Sequence, residues 1–211
     1  MKDDPVFEKI RLSSWKFFKH SHHDRYHVER VYKMALHIAQ EENADLDIVK
    51  AASLLHDIAR AMEDQGKIHD HADEGAKMAG KILEEVDFPR DKIQKVVECI
   101  KVHRFRSGLT PTSLEAKILQ DADRLDIIGA VGIARAFVRG GWDNKPIYDP
   151  SIPPKSKYDG KSRTTVNHIY EKLLKVKDTM NTSNARKVAE ERHIYVEQFL
   201  DRFFREWKAE V

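Results

Sequence analysis

The chain has 211 residues, 41% hydrophobic and 34% charged, with 37 Lys+Arg against 35 Asp+Glu and a net charge of +2. That length suits one domain with a sizeable core, and that apolar content excludes a disordered tail. The near balance of charge removes the signature of a nucleic-acid polymer binder, and the single cysteine, Cys99, excludes an internal disulfide framework. The longest uncharged apolar run, Ile127–Ala134, is far short of the ~20 residues of a bilayer span. The charged start Met1-Lys2-Asp3-Asp4 lacks the apolar stretch of a signal peptide, so a cytoplasmic protein without a membrane partner is expected.

Apolar residues recur at helical spacing almost throughout and no segment alternates with period two, so the expected fold class is all-α. A first helix covers about residues 5–19. Asp24 then suits an N-cap, before a stripe of Val28, Val31, Tyr32, Ala35, Ile38 and Ala39. His27 stands at the edge of that stripe and His37 on the opposite face, while His20, His22 and His23 read as a solvated connection.

The next helix is expected over Asp47–Met62. Within it, residues 51–59 (Ala-Ala-Ser-Leu-Leu-His-Asp-Ile-Ala) are polar only at Ser53, His56 and Asp57, so the segment should be buried all round. A buried carboxylate needs a cation or strong donors. Neighbouring helical residues point about 100° apart, so His56 and Asp57 can both grip one object above the helix. A divalent metal is the simplest such object; a core histidine with a satisfied ring is the plainer alternative.

A helix over about 71–86 opens on His71, and one over about 91–105 carries Cys99 and ends near His103. A single helix over about 113–138 sets Gln120-Asp121-Ala122-Asp123-Arg124-Leu125-Asp126 between apolar flanks. Asp123 and Asp126 share a face; Asp121 lies roughly opposite and reads as a cap or surface pair. Between residues 140 and 160, Gly140, Gly141, Gly160, Pro146, Pro150, Pro153 and Pro154 mark a long loop. Such a loop is either a functional lid or a plain connection. Its Lys145, Lys155 and Lys157, with Trp142, Tyr148 and Tyr158, offer cations and aromatic faces to a bound anion, or else a solvated surface. Helices over about 164–178 and 183–208 follow, with aromatics at core-like spacing.

His27, then His56-Asp57, then the Asp123 of Ala-Asp-Arg-Leu, in that order and on helices, resemble the H…HD…D signature of the HD superfamily of metal-dependent phosphohydrolases. Asp70–Ala76 (DHADEGA), Ile100–His103 (IKVH), Gln120–Arg135 (QDADRLDIIGAVGIAR) and His168–Leu174 (HIYEKLL) are similar to its small stand-alone bacterial members, so the resemblance runs from about residue 20 to 205.

The resemblance implies one HD-type helical domain over 1–211: a metal core over about 20–138, the loop 140–160, and C-terminal helices over 161–208. It implies a divalent ion (Mn²⁺, Mg²⁺, Fe²⁺, Ni²⁺ or Co²⁺) held by His27, His56, Asp57 and Asp123, with Asp126 as an acceptor orienting a histidine. The mixed N/O donor set without thiolate suits a catalytic site better than a closed structural one. For His71 and His103 three roles stay open: phosphate contact with proton transfer, a second metal, or structure. Arg124, Lys145, Lys155 and Lys157 are the candidate phosphate cations.

The implied reaction is hydrolysis of a small phosphorylated metabolite, first of all a (deoxy)nucleoside triphosphate with release of pyrophosphate. Nucleoside monophosphate or cyclic phosphodiester cleavage is the enzymatic rival, and a nucleotide-sensing domain without turnover is the rival of another class. A homodimer is compatible with all of these.

Overall fold

A computed structural model describes residues 4–18, 24–104 and 109–210, all helix, turn and loop without a strand. The elements are α1 (Pro5–Trp15), α2 (Arg25–Glu42), α3 (Leu46–Leu55), α4 (Arg60–Asp64), α5 (His71–Glu85), α6 (Arg90–Val102), α7 (Leu114–Leu125), α8 (Gly129–Trp142), α9 (Thr165–Glu171) and α10 (Ser183–Trp207), with two short 3₁₀ turns between the last two. The all-α expectation is met. No helix among the described residues is long and apolar enough to cross a membrane. The chain forms two compact units, Met1–Asp123 and Arg124–Val211.

In the first unit α3 is the central element, packed by α1, α2 and α6. Its sequence explains why: residues 51–59 are buried without exception. Each fully buried Leu or Ile there contributes roughly 1.5–3 kcal/mol of apolar burial. Side-chain caps set the helix starts. Asp24 accepts from the His27 amide (2.9 Å), Asp45 from Asp47 and Ile48, and Asp70 from Ala72 and Asp73. Asn43, with φ 55°, closes α2 in the left-handed conformation that Asn tolerates.

Two expected helices are each divided. The stretch 47–62 is broken at residues 56–59, between α3 and α4. There the His56 Nδ1 bonds the Ser53 carbonyl (2.8 Å), the acceptor a continuing helix would use, and the backbone tightens to three-residue bonds, with the Arg60 amide on the Asp57 carbonyl (2.9 Å). The stretch 113–138 is likewise broken, by a turn at residues 126–128 followed by Gly129 at φ 79°, the first residue of α8. A Cβ added at Gly132 would lie 2.0 Å from the Ile127 carbonyl oxygen of that turn. Gly132→Ala should therefore cost about 3 kcal/mol, read as a lowered urea midpoint; an unshifted midpoint would contradict this close approach.

In the second unit α8 packs on α9 and α10. The Gly/Pro-rich segment is tied down: Thr165 and Val166 amides donate to the Pro146 and Ile147 carbonyls, and Asn167 Nδ2 to the Ile152 carbonyl. The buried Glu171 carboxylate accepts from Ser162 Oγ (2.6 Å) and the Lys155 amide (2.9 Å). Tyr148 packs edge-on against Phe203, Phe204 and Trp207, and Tyr158 against His168. Trp142 is exposed.

His168 carries a testable pH signature. Burial, then the charges of Lys172, Lys145 and Arg139, push its pKa down from 6.5 to about 4. Between those values the unfolded chain binds the proton and the folded chain does not, so stability falls as pH falls from 6.5 to 4. The loss is on the order of 3 kcal/mol. His168→Gln should flatten the decline of the urea midpoint across that window; an equally steep decline would show that other groups cause it.

Candidate metal centre

Three separate segments of the first unit meet at the His27 ring. His27 comes from the first turn of α2, placed by the Asp24 cap; His56 and Asp57 follow the end of α3; Asp123 comes from α7. His27 Nε2 lies 3.3 Å from His56 Nε2, 3.5 Å from Asp57 Oδ2 and 3.4 Å from Asp123 Oδ1, and His56 Nε2 lies 3.7 Å from Asp57 Oδ2. His27 and His56 are wholly buried and Asp57 nearly so, while the Asp123 side chain is 16% exposed.

The other oxygen of Asp57 faces a second pair. Oδ1 lies 3.3 Å from His71 Nε2 and 3.6 Å from His103 Nε2, both side chains being buried. The four imidazoles pack edge to face in an arc, His27–His56–His103–His71, with neighbouring centroids 5.3 Å apart.

The donor chemistry fits a divalent ion. His56 and His103 each end a helix and donate Nδ1–H to the carbonyl three residues back, Ser53 (2.8 Å) and Ile100 (2.6 Å). In the neutral ring this leaves Nε2 as a bare lone pair, aimed at a carboxylate oxygen. Burial, followed by the charges of His103 and His27, holds His56 down at about 4 against the pull of Asp57 and Asp123, so it is neutral near pH 7. Lone pairs converging on carboxylates in a buried site repel unless a cation lies among them. Bonds of ~2.0–2.2 Å in tetrahedral or octahedral arrangement also separate ligand atoms by about 3.0–3.5 Å, close to the spacing among His27, His56 and Asp57, with Asp123 joining them through His27.

Three charged residues that the sequence reading passed over frame the site. Glu63 of α4 accepts from the His71 amide (2.8 Å) and from His71 Nδ1 (2.7 Å) through Oε2. Burial opposes the Glu63 charge, but those His71 bonds prevail and hold its carboxyl below the ordinary value. Arg104 reaches Glu63 Oε1 (2.7 Å) and Asp70 Oδ2 (2.9 Å). Arg60 lies 3.5 Å from His71 Nδ1; burial disfavours its charge, yet Asp57, Asp64 and Glu63 raise its pKa. His71, buried but beside Asp57, is raised as well, the carboxylate overcoming desolvation. The one sequence hint for Glu63 was the position of His71 at a helix start, where no carbonyl of its own helix is at hand for the ring.

The remaining candidates have other surroundings. Asp126 Oδ2 accepts from Arg135 (2.5 Å) and Arg124 donates to the Thr179 carbonyl (2.5 Å), both within the second unit. Lys145 pairs with Asp143 (2.8 Å), Lys155 with Asp159 (2.8 Å) and the Lys161 carbonyl, and Lys157 is exposed. Asp121, read as a cap or surface pair, is instead fully buried, because the face of α7 opposite Asp123 also turns inward. His20, His22 and His23 lie outside the described residues.

The HD domain family model matches residues 25–128. The uncharacterized protein YpgQ of Bacillus subtilis is 37% identical over 206 residues, covering 95% of this chain and 93% of YpgQ. An HD-superfamily hydrolase from Bacillus thuringiensis superposes with a TM-score of 0.78 at 38% identity, over 96% of this chain and 97% of the other. The structure of YpgQ in complex with ADP superposes with a TM-score of 0.77 at 32% identity, over 95% and 97%.

Proposed function

This chain belongs to the HD domain family and is a metal-dependent phosphohydrolase; we propose that its substrate is a nucleoside triphosphate, cut to release pyrophosphate. The observation that carries the site is the approach of His27 Nε2, His56 Nε2, Asp57 Oδ2 and Asp123 Oδ1 to 3.3–3.7 Å along their closest pairs. These four hold the divalent ion. Once bound, the ion supplies Lewis acidity to a phosphoryl oxygen and offsets the charge gathering there. A nucleotide is supported by the ADP in the related YpgQ structure, and pyrophosphate release by the resemblance to the small bacterial members.

The protein's own groups do the positioning. His71 and His103, on the Oδ1 side of Asp57, contact the phosphate and carry the proton. Arg60, fixed in its charged form by three carboxylates, adds a cation beside them. A second reading is that His71, His103 and Asp57 Oδ1 hold a second ion, since these three also form a buried donor cluster of ligand spacing.

The test is hydrolysis with product identification, using Mn²⁺ or Mg²⁺ and a panel of nucleoside tri-, mono- and cyclic phosphates. Monophosphate plus pyrophosphate from triphosphates is the expected result. Orthophosphate from monophosphates would move the assignment to a phosphatase, and binding without turnover to a sensing domain.

A further inference from the structure

Among the histidines around Asp57, the Nδ1 partners of His56, His103 and His71 differ in kind. His56 and His103 sit at the ends of α3 and α6 and use their own helix carbonyls. His71 is the first residue of α5, where backbone donors rather than acceptors are in surplus. Its ring is held by a carboxylate eight residues earlier, on another helix. One oxygen of Glu63 takes both the His71 backbone N–H and the ring Nδ1–H, which fixes the residue at two points and so sets the ring's direction. A carboxylate is also a stronger acceptor than a peptide carbonyl, and it makes the opposite ring nitrogen more electron-rich.

Glu63 is itself held. Its other oxygen is bonded by Arg104, whose second nitrogen bonds Asp70, the N-cap of α5. Arg104 directly follows His103, so one guanidinium ties the end of α6, the start of α5 and α4 together. That pairing also argues against a cation between Glu63 and Asp70, because Arg104 already supplies the positive charge.

We propose that Glu63 is a positioning residue for the hydrolytic site: clamped by Arg104, it holds the proton on His71 Nδ1 and turns the ring's Nε2 toward the Asp57 side of the centre. The inference rests on the reading of that centre as a phosphohydrolase site. It names Glu63, rather than Asp126, as the acceptor that orients a histidine.

The experiment has two readouts on the full chain. In ¹⁵N-imidazole NMR of the Mg²⁺-loaded protein, the Nδ1–H resonance that His71→Ala removes should also be lost or strongly shifted in Glu63→Ala; its persistence unchanged would overturn the proposal. In a double-mutant cycle on the turnover of the best substrate, Glu63→Ala should lower kcat roughly 10–100-fold with KM and bound metal retained. It should have almost no further effect in a His71→Ala background. An undiminished Glu63 effect without His71 would overturn the proposal while leaving the hydrolase reading intact. Absence of turnover in the wild type would strike that reading, and the NMR readout would still decide the role of Glu63.

Discussion

Replacing Asp57 by alanine should lower phosphate-bond hydrolysis on the order of 10³-fold or more and remove the bound metal. Asp57 is the one group whose two oxygens serve both sides of the centre, Oδ2 facing His27 and His56 and Oδ1 facing His71 and His103. Without it the four Nε2 nitrogens have no shared anion. A metal ion contributes several kcal/mol to a phosphoryl transition state, and each 1.36 kcal/mol is tenfold in rate. His56→Ala should behave alike, whereas alanine at the exposed His37 should leave turnover near wild type. Activity, metal content by elemental analysis and helical circular dichroism check this together. Turnover within tenfold of wild type, with metal retained, would contradict the role given to Asp57.

Chelation should have the second large effect, on stability. An ion that binds the folded chain but not the unfolded one adds about 4 kcal/mol when present at ~1,000 times its dissociation constant. For a chain of this size each kcal/mol moves Tm by about 2–4 °C, so EDTA should lower Tm by roughly 8–16 °C. The structure gives the reason: chelation leaves a carboxylate that is only 3% exposed among imidazoles whose Nδ1 protons are already committed to Ser53, Ile100 and Glu63. Asp57→Ala, with no ion to lose, should show no EDTA-dependent drop. A wild-type Tm indifferent to EDTA would mean that the ion does not bind within the folded first unit.

Much of the centre was legible because burial leaves so few explanations for polar residues. His56 and Asp57 stood out as the charged or ring-bearing pair in a stretch apolar on every side, and the structure buries residues 51–59 completely. His27 was placed by its cap, which forms as expected through Asp24. The helix breaks at 56–59 and 126–128 were less visible. The first depends on a side chain taking a backbone acceptor, and the second on one glycine at positive φ within an apolar run. Glu63 and Arg104 were hidden for another reason. In sequence they are ordinary charges beside turns, and only the folded chain brings α4, the start of α5 and the end of α6 to one carboxylate. Asp121 was misjudged because a single face of α7 was assumed to be buried.

The most direct measurement is anomalous diffraction from crystals of the protein grown with Mn²⁺. A manganese peak should lie within bonding distance of His27 Nε2, His56 Nε2, Asp57 Oδ2 and Asp123 Oδ1, and should vanish in Asp57→Ala. A peak elsewhere on the chain, with those four side chains hydrogen-bonded only to one another, would contradict a metal centre at this place.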